Sequence, residues 1–159
     1  MDRITTEHTL QMALNRFNEE MDTHYSMVNV KHECFNPENA AEVYERFRSQ
    51  YFPNRLNDDY RNPDYFGDSI AMAFTGPEYD GILYNEPLCT ELKSIEVYVI
   101  FLHELSHIFC VHNEIRGGNF YEKYCSNNVE NVYTDGIMNA GYAVWREFIA
   151  GVMTARSVC

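Results

Sequence analysis

At 159 residues, with 45% hydrophobic and 14% aromatic residues, the chain suits one packed core rather than disorder, and it reads as a single domain over residues 1–159. Its 12 basic residues stand against 24 acidic ones, a formal net charge of −12 that repels nucleic-acid phosphates and anionic lipid surfaces, so neither nucleic acid nor membrane is expected as a partner. The opening MDRITTEHTLQM lacks the basic and apolar regions of a secretory signal. The longest apolar run, Val97 to Val111, is short for a bilayer and is interrupted by His103, Glu104 and His107. Five cysteines (Cys34, Cys89, Cys110, Cys125 and Cys159) are odd in number and show no CxxC spacing, which reads as reduced thiols in a cytoplasmic protein.

In chain order, Thr5 to about Thr23 is predicted as a first helix, capped by Thr5 or Thr6, with Leu10, Ala13, Leu14, Phe17 and Met21 at helical spacing. Met27 to Val30 alternates like a short strand. Asn36-Pro37-Glu38 is a helix start, and the helix it opens is expected to reach about Tyr51 with Ala40, Val43, Tyr44 and Phe47 inward. Pro53 to Gly67 reads as a loop carrying Tyr60, Tyr65 and Phe66, either a flap or a segment pinned to the core by its aromatics. Ser69 to Phe74 and Gly81 to Asn85, separated by a Gly/Pro turn, are predicted as a β-hairpin whose free edge could bind a peptide by strand addition.

Glu91 to about His112 is the most specific stretch. Its predicted helix has one apolar face of Ile95, Tyr98, Leu102, Leu105 and Phe109. His103 and His107 lie one turn apart on another face, with Glu104 beside them. Two imidazoles so stacked can hold one zinc ion, and the adjacent carboxylate can take a proton from a water on that ion. Buried together, the three groups need partners, and a metal satisfies them jointly. Glu114 to Asn131, with Gly117-Gly118 and Asn127-Asn128, reads as an irregular loop over the site.

The last predicted helix, Thr134 to Arg156, carries only Arg146 and Glu147 as charges between Gly136 and Ala155. Small residues (Gly136, Ala140, Ala143, Ala150, Thr154) share the stripe of Glu147, while Ile137, Val144, Phe148 and Val152, with Trp145, are bulky enough for core. A catalytic zinc takes three protein ligands and keeps a fourth position for water. His112 lies about 140° round from His107, and Glu114 about 10 Å along the axis. Asn113 stands where a metzincin has its third histidine, and Asp135 reads as a cap. Glu147 remains as the third-ligand candidate, against an ion-pair role with Arg146 or another cation.

His103-Glu104-Leu105-Ser106-His107 followed by Glu147 on a later helix resembles the zincin metallopeptidases, in particular the gluzincin arrangement. Glu147-Phe148-Ile149-Ala150 is distantly similar to the glutamate helix of the ImmA/IrrE family of small cytoplasmic metallopeptidases, some of which cleave repressors. The resemblance implies His103, His107 and Glu147 as Zn2+ ligands and Glu104 as the catalytic carboxylate. It also implies a compact α+β zincin-like fold with a small, mostly antiparallel sheet, to which further C-terminal elements could belong. Thermolysin-like relatives have an aspartate four residues after the ligand glutamate, where this chain has Gly151.

The expected activity is hydrolysis of a peptide or protein substrate by metal-activated water, with an oxyanion donor sought among Tyr133, Tyr142 and His112. Two alternatives stand beside it: a catalytically inactive zincin-like binding or sensor module, and a zinc hydrolase of a non-peptide amide. A binding module has no need of Glu104.

Overall fold

The computed structural model describes residues 3–53, 69–113 and 132–158, and the side chains of 5–53, 69–113 and 140–158. Its elements are α1 (Arg3–Met21), β1 (Val30–Phe35), α2 (Ala40–Tyr51), β2 (Ala71–Thr75), β3 (Asp80–Asn85), α3 (Glu86–Glu91), α4 (Ser94–His112) and α5 (Val132–Val158). The predicted loops over 53–67 and 114–131 lie almost wholly outside the described residues, and Glu114 with them.

The fold is α+β, but the sheet is mixed rather than mostly antiparallel. Its order is β1-β3-β2, with β1 parallel to β3 and β2 antiparallel to it. The hairpin β2–β3 forms where its two apolar runs and Gly/Pro turn place it. The first strand runs over Val30–Phe35 rather than 27–30, because pairing with β3 and not local alternation defines it.

β3 is buried along its whole length, and its side chains alternate between two cores. Ile82 and Tyr84 face α1 and α4, joining Leu10, Leu14, Phe17, Phe101, Leu102 and Leu105. Leu83 faces α2, joining Phe35, Val43, Tyr44, Phe47, Phe52 and Phe74. Gly81 is required between them, since a Cβ there would lie 2.8 Å from the Phe47 ring. The four residues expected inward on α2 are buried, although the helix begins at Ala40 and Asn36 instead closes the preceding turn, accepting from the Glu38 and Asn39 N–H groups. Likewise Thr5 and Thr6 lie inside α1 rather than capping it.

Asn85 ends β3 and caps α3, its side chain accepting from the Leu88 N–H at 3.3 Å with Pro87 in the first turn. Glu96 then accepts from the Lys93 N–H at 2.7 Å and starts α4 three residues later than expected. α4 is long and apolar enough to cross a bilayer by length and composition, contrary to the reading from its shorter inner run. Here Val97, Phe101, Leu105 and Ile108 pack into the core, whereas Ile95, expected inward, is exposed. Cys89 and Cys110 are buried and Cys34 is half-buried.

α5 overturns the expected inward stripe. Val144, Trp145, Phe148 and Val152 are exposed, Val144 by 69% and Phe148 by 59%. Ala150, Thr154 and Ser157 turn inward instead, and Thr154 and Ser157 are tied to α4 and α1. The Thr154 and Ser106 hydroxyls lie 3.4 Å apart, and Arg16 Nε donates to the Ser157 carbonyl at 3.0 Å. Asp135 falls within the first turns of a helix that begins at Val132, so it is not the cap.

Candidate metal centre

The histidines sit where α4 passes between the edge strand β2 and α5. Ala71 and Ala73 turn their small side chains toward α4, which allows helix and strand to approach closely. From α4, His103 Nε2 and His107 Nε2 come within 3.0 Å of each other. From α5, Glu147 Oε2 lies 3.1 Å from the first and 3.4 Å from the second. The three sequence-predicted ligand candidates are therefore brought together, from two helices 44 residues apart in register.

Those separations can be compared with what a metal needs. Ligand atoms at about 2.0–2.1 Å from a tetrahedral zinc lie roughly 3.3 Å from one another. The three edges bracket that value. A cluster of this composition, with all ligand atoms mutually close, can coordinate one metal ion. Protonation supports the same use. Burial, then the neighbouring His103, pushes His107 down to about 4, so its ring is neutral at pH 7 and its lone pair available. Partial burial raises the Glu147 carboxyl, but His107 and His103 outweigh it and hold the group below the ordinary carboxylate range.

Glu104 stands beside the cluster but outside it. Its surface is partly open to the cleft, while its carboxyl is drawn in against β2 and accepts the Ala73 N–H. Burial pushes it up to about 7; Glu147 adds to that shift, and the Ala73 N–H and Arg146 oppose it. Next to it is an open cleft of about 330 Å³ lined by Ser69, Ile70, Ala71, Ile100, His103 and Glu104.

The edge above this cleft is open to pairing except at the Ala73 N–H, which Glu104 accepts. The Asn85 N–H donates to the Ile70 carbonyl at 2.8 Å, which fixes Ile70, Met72 and Phe74 as the residues bonded to β3. The N–H and C=O groups of Ala71, Ala73 and Thr75 consequently point away from β3, and no described strand pairs with them.

Other candidates are placed elsewhere. His112 Nε2 meets Asp80 Oδ1 at 2.8 Å at the start of β3, so His112 is neither ligand nor oxyanion donor. Asn113 closes α4, donating to the Phe109 carbonyl at 2.9 Å. Tyr142 is half-buried on α5, and the Tyr133 side chain lies outside the described residues. Sequence reasoning missed the Ala73 backbone and the Ile70 and Ile100 walls. Ile100 had a signal, one turn before Glu104 on the same helix face.

The chain matches no protein-family model, no curated protein and no solved structure. A helix bearing two histidines, packed against a C-terminal helix bearing a glutamate beside a small mixed sheet, resembles a zincin in general shape.

Proposed function

We propose that the protein is a zinc-dependent metallopeptidase in which His103, His107 and Glu147 hold the ion and Glu104 is the general base. The observation that carries this reading is the convergence of three ligand atoms on one point with a fourth, proton-accepting carboxylate beside them. Zinc, when bound, acidifies a water toward a pKa of about 7 and polarises a carbonyl. Glu104 accepts a proton from water and returns it to the leaving amine, a task suited to a carboxyl lifted to about 7, although a neighbouring cation lowers that value. The Ala73 N–H fixes the orientation of this carboxylate.

An extended peptide fits the outer edge of β2 by strand addition, its backbone meeting Ala71 and the Ala73 carbonyl, because the Ala73 N–H is held by Glu104. Ile70, Ala71 and Ile100 give the adjoining cleft apolar walls suited to an uncharged side chain. The net charge of −12 disfavours a polyanionic substrate, and five cysteines without CxxC spacing suit a cytoplasmic setting. Replacing Glu104 with Gln is expected to leave zinc content unchanged and to lower kcat on a cleaved peptide by about 10²–10⁴-fold. Cleavage at the parent rate by that variant contradicts the assigned role.

A further inference from the structure

Glu147 divides its two oxygens. Oε2 faces the imidazoles, and Oε1 faces Arg146 Nη2 at 3.7 Å. That distance is an ion pair but too long for a hydrogen bond, so Glu147 does not consume the donors of the guanidinium. Arg146 Nε is buried and bonds no acceptor. Among the described residues, then, a partly exposed arginine whose buried Nε–H has no acceptor stands one residue from Glu147. Its positive charge acts on Glu104, His107 and Glu147 alike, which places it on the cluster side of α5.

Leaving that buried donor unmet costs on the order of 1–3 kcal/mol, and a cation beside a divalent-ion site adds repulsion. Both penalties are relieved when negative charge develops on an oxygen between them. His112 is committed to Asp80, and Tyr142 lies five residues before Glu147, about 140° round the helix. Among the described side chains, which do not include that of Tyr133, Arg146 is the donor the geometry leaves.

We propose that the Arg146 guanidinium stabilises the oxyanion formed when water adds to the scissile carbonyl, an inference that rests on the peptidase reading. In that step the water oxygen bonds to the carbonyl carbon, the π pair moves onto the carbonyl oxygen and the water proton passes to Glu104. When the C–N bond breaks, the oxygen's electron pair re-forms the carbonyl and Glu104 delivers the proton to nitrogen. Arg146 stays protonated throughout, since an arginine does not give up its proton in proteins.

The test uses the zinc-loaded full chain, its Arg146→Met and Arg146→Lys variants, and a phosphinic peptide with a blocked C-terminus as a tetrahedral anionic probe. Zinc affinity is measured by competition with a chromophoric chelator and probe affinity by calorimetry. Arg146→Met is expected to weaken the probe by roughly 10²-fold, with Lys recovering part of the loss, and to leave zinc affinity within about threefold. Unchanged probe affinity in Arg146→Met overturns the proposal and leaves the metal reading standing. A parallel fall in zinc affinity overturns it too, because Arg146 then only positions Glu147. A matched probe with a free C-terminal carboxylate separates the remaining source of anionic oxygen: a loss confined to that compound makes Arg146 a substrate-carboxylate site instead. If the parent chain itself takes no zinc, the peptidase reading has failed and this inference falls with it.

Discussion

The two halves of the metal centre are built differently. α4 presents His103 and His107 from a helix sunk into the core, with Val97, Phe101, Leu105 and Ile108 buried and α1, β2 and α5 packed around it. α5 presents Glu147 from a helix whose bulky residues face solvent and whose hold on the fold lies further along, at Ala150, Thr154 and Ser157. One half is fixed by hydrophobic burial. The other, in its described residues, is held along a seam of small and polar side chains packed on α4. The lesson is that a ligand set can be shared between an element sunk in the core and one whose described bulky side chains are exposed.

Core and surface substitutions should separate the two helices most widely. Leu105→Ala is expected to destabilise the protein by about 2–5 kcal/mol in urea melts, as deletion of a fully buried side chain does. A loss under about 1 kcal/mol would break the contrast.

The protonation of the centre gives the next effect, in the metal-free protein. Glu104 is raised from 4.5 to about 7, so its contribution is complete below pH 4.5 and is lost as pH rises to 7. His107 is lowered from 6.5 to about 4, so its contribution is present above pH 6.5 and is lost as pH falls to 4. Between pH 4.5 and 6.5 the two oppose each other and stability changes little. Glu104→Gln removes one of them, and with chelator present it should gain about 2 kcal/mol over the parent between pH 4.5 and 7. Parallel pH profiles would show that the carboxyl is not desolvated.

Much of the site was legible in the sequence because it rests on local rules. The i,i+4 spacing of His103 and His107 fixes their common face, and the lone carboxylate between Gly136 and Ala155 marks Glu147. The hairpin followed from two apolar runs and the Gly/Pro turn between them. What was misread depends on partners distant in sequence. Val30–Phe35 has no alternating pattern and becomes a strand only by parallel pairing with β3, which also makes the sheet mixed. The Val144, Phe148 and Val152 stripe has the periodicity of a core face, but α4 meets the neighbouring Ala150 and Thr154 side instead. Periodicity shows that a helix is amphipathic, and only tertiary contacts show which face is covered.

Smaller effects sharpen the view of α5. Gly151 is exposed and a Cβ there meets nothing within 4 Å, so Gly151→Ala should raise stability by about 0.5–1 kcal/mol through helix propensity alone. Destabilisation would show that this turn of α5 is closely covered. Val152→Ser, one residue on, should change stability by less than about 0.5 kcal/mol, and a loss comparable with that of Leu105→Ala would place the stripe in a core.

The most direct test of the shared centre is zinc affinity, measured by chelator competition on the parent chain and on Glu147→Ala, with circular dichroism confirming that both are folded. The parent should bind one zinc per chain, and the variant should bind at least about tenfold more weakly because one of three ligands is gone. A parent that takes no zinc, or a folded variant that binds it as tightly as the parent, contradicts a metal held jointly by α4 and α5.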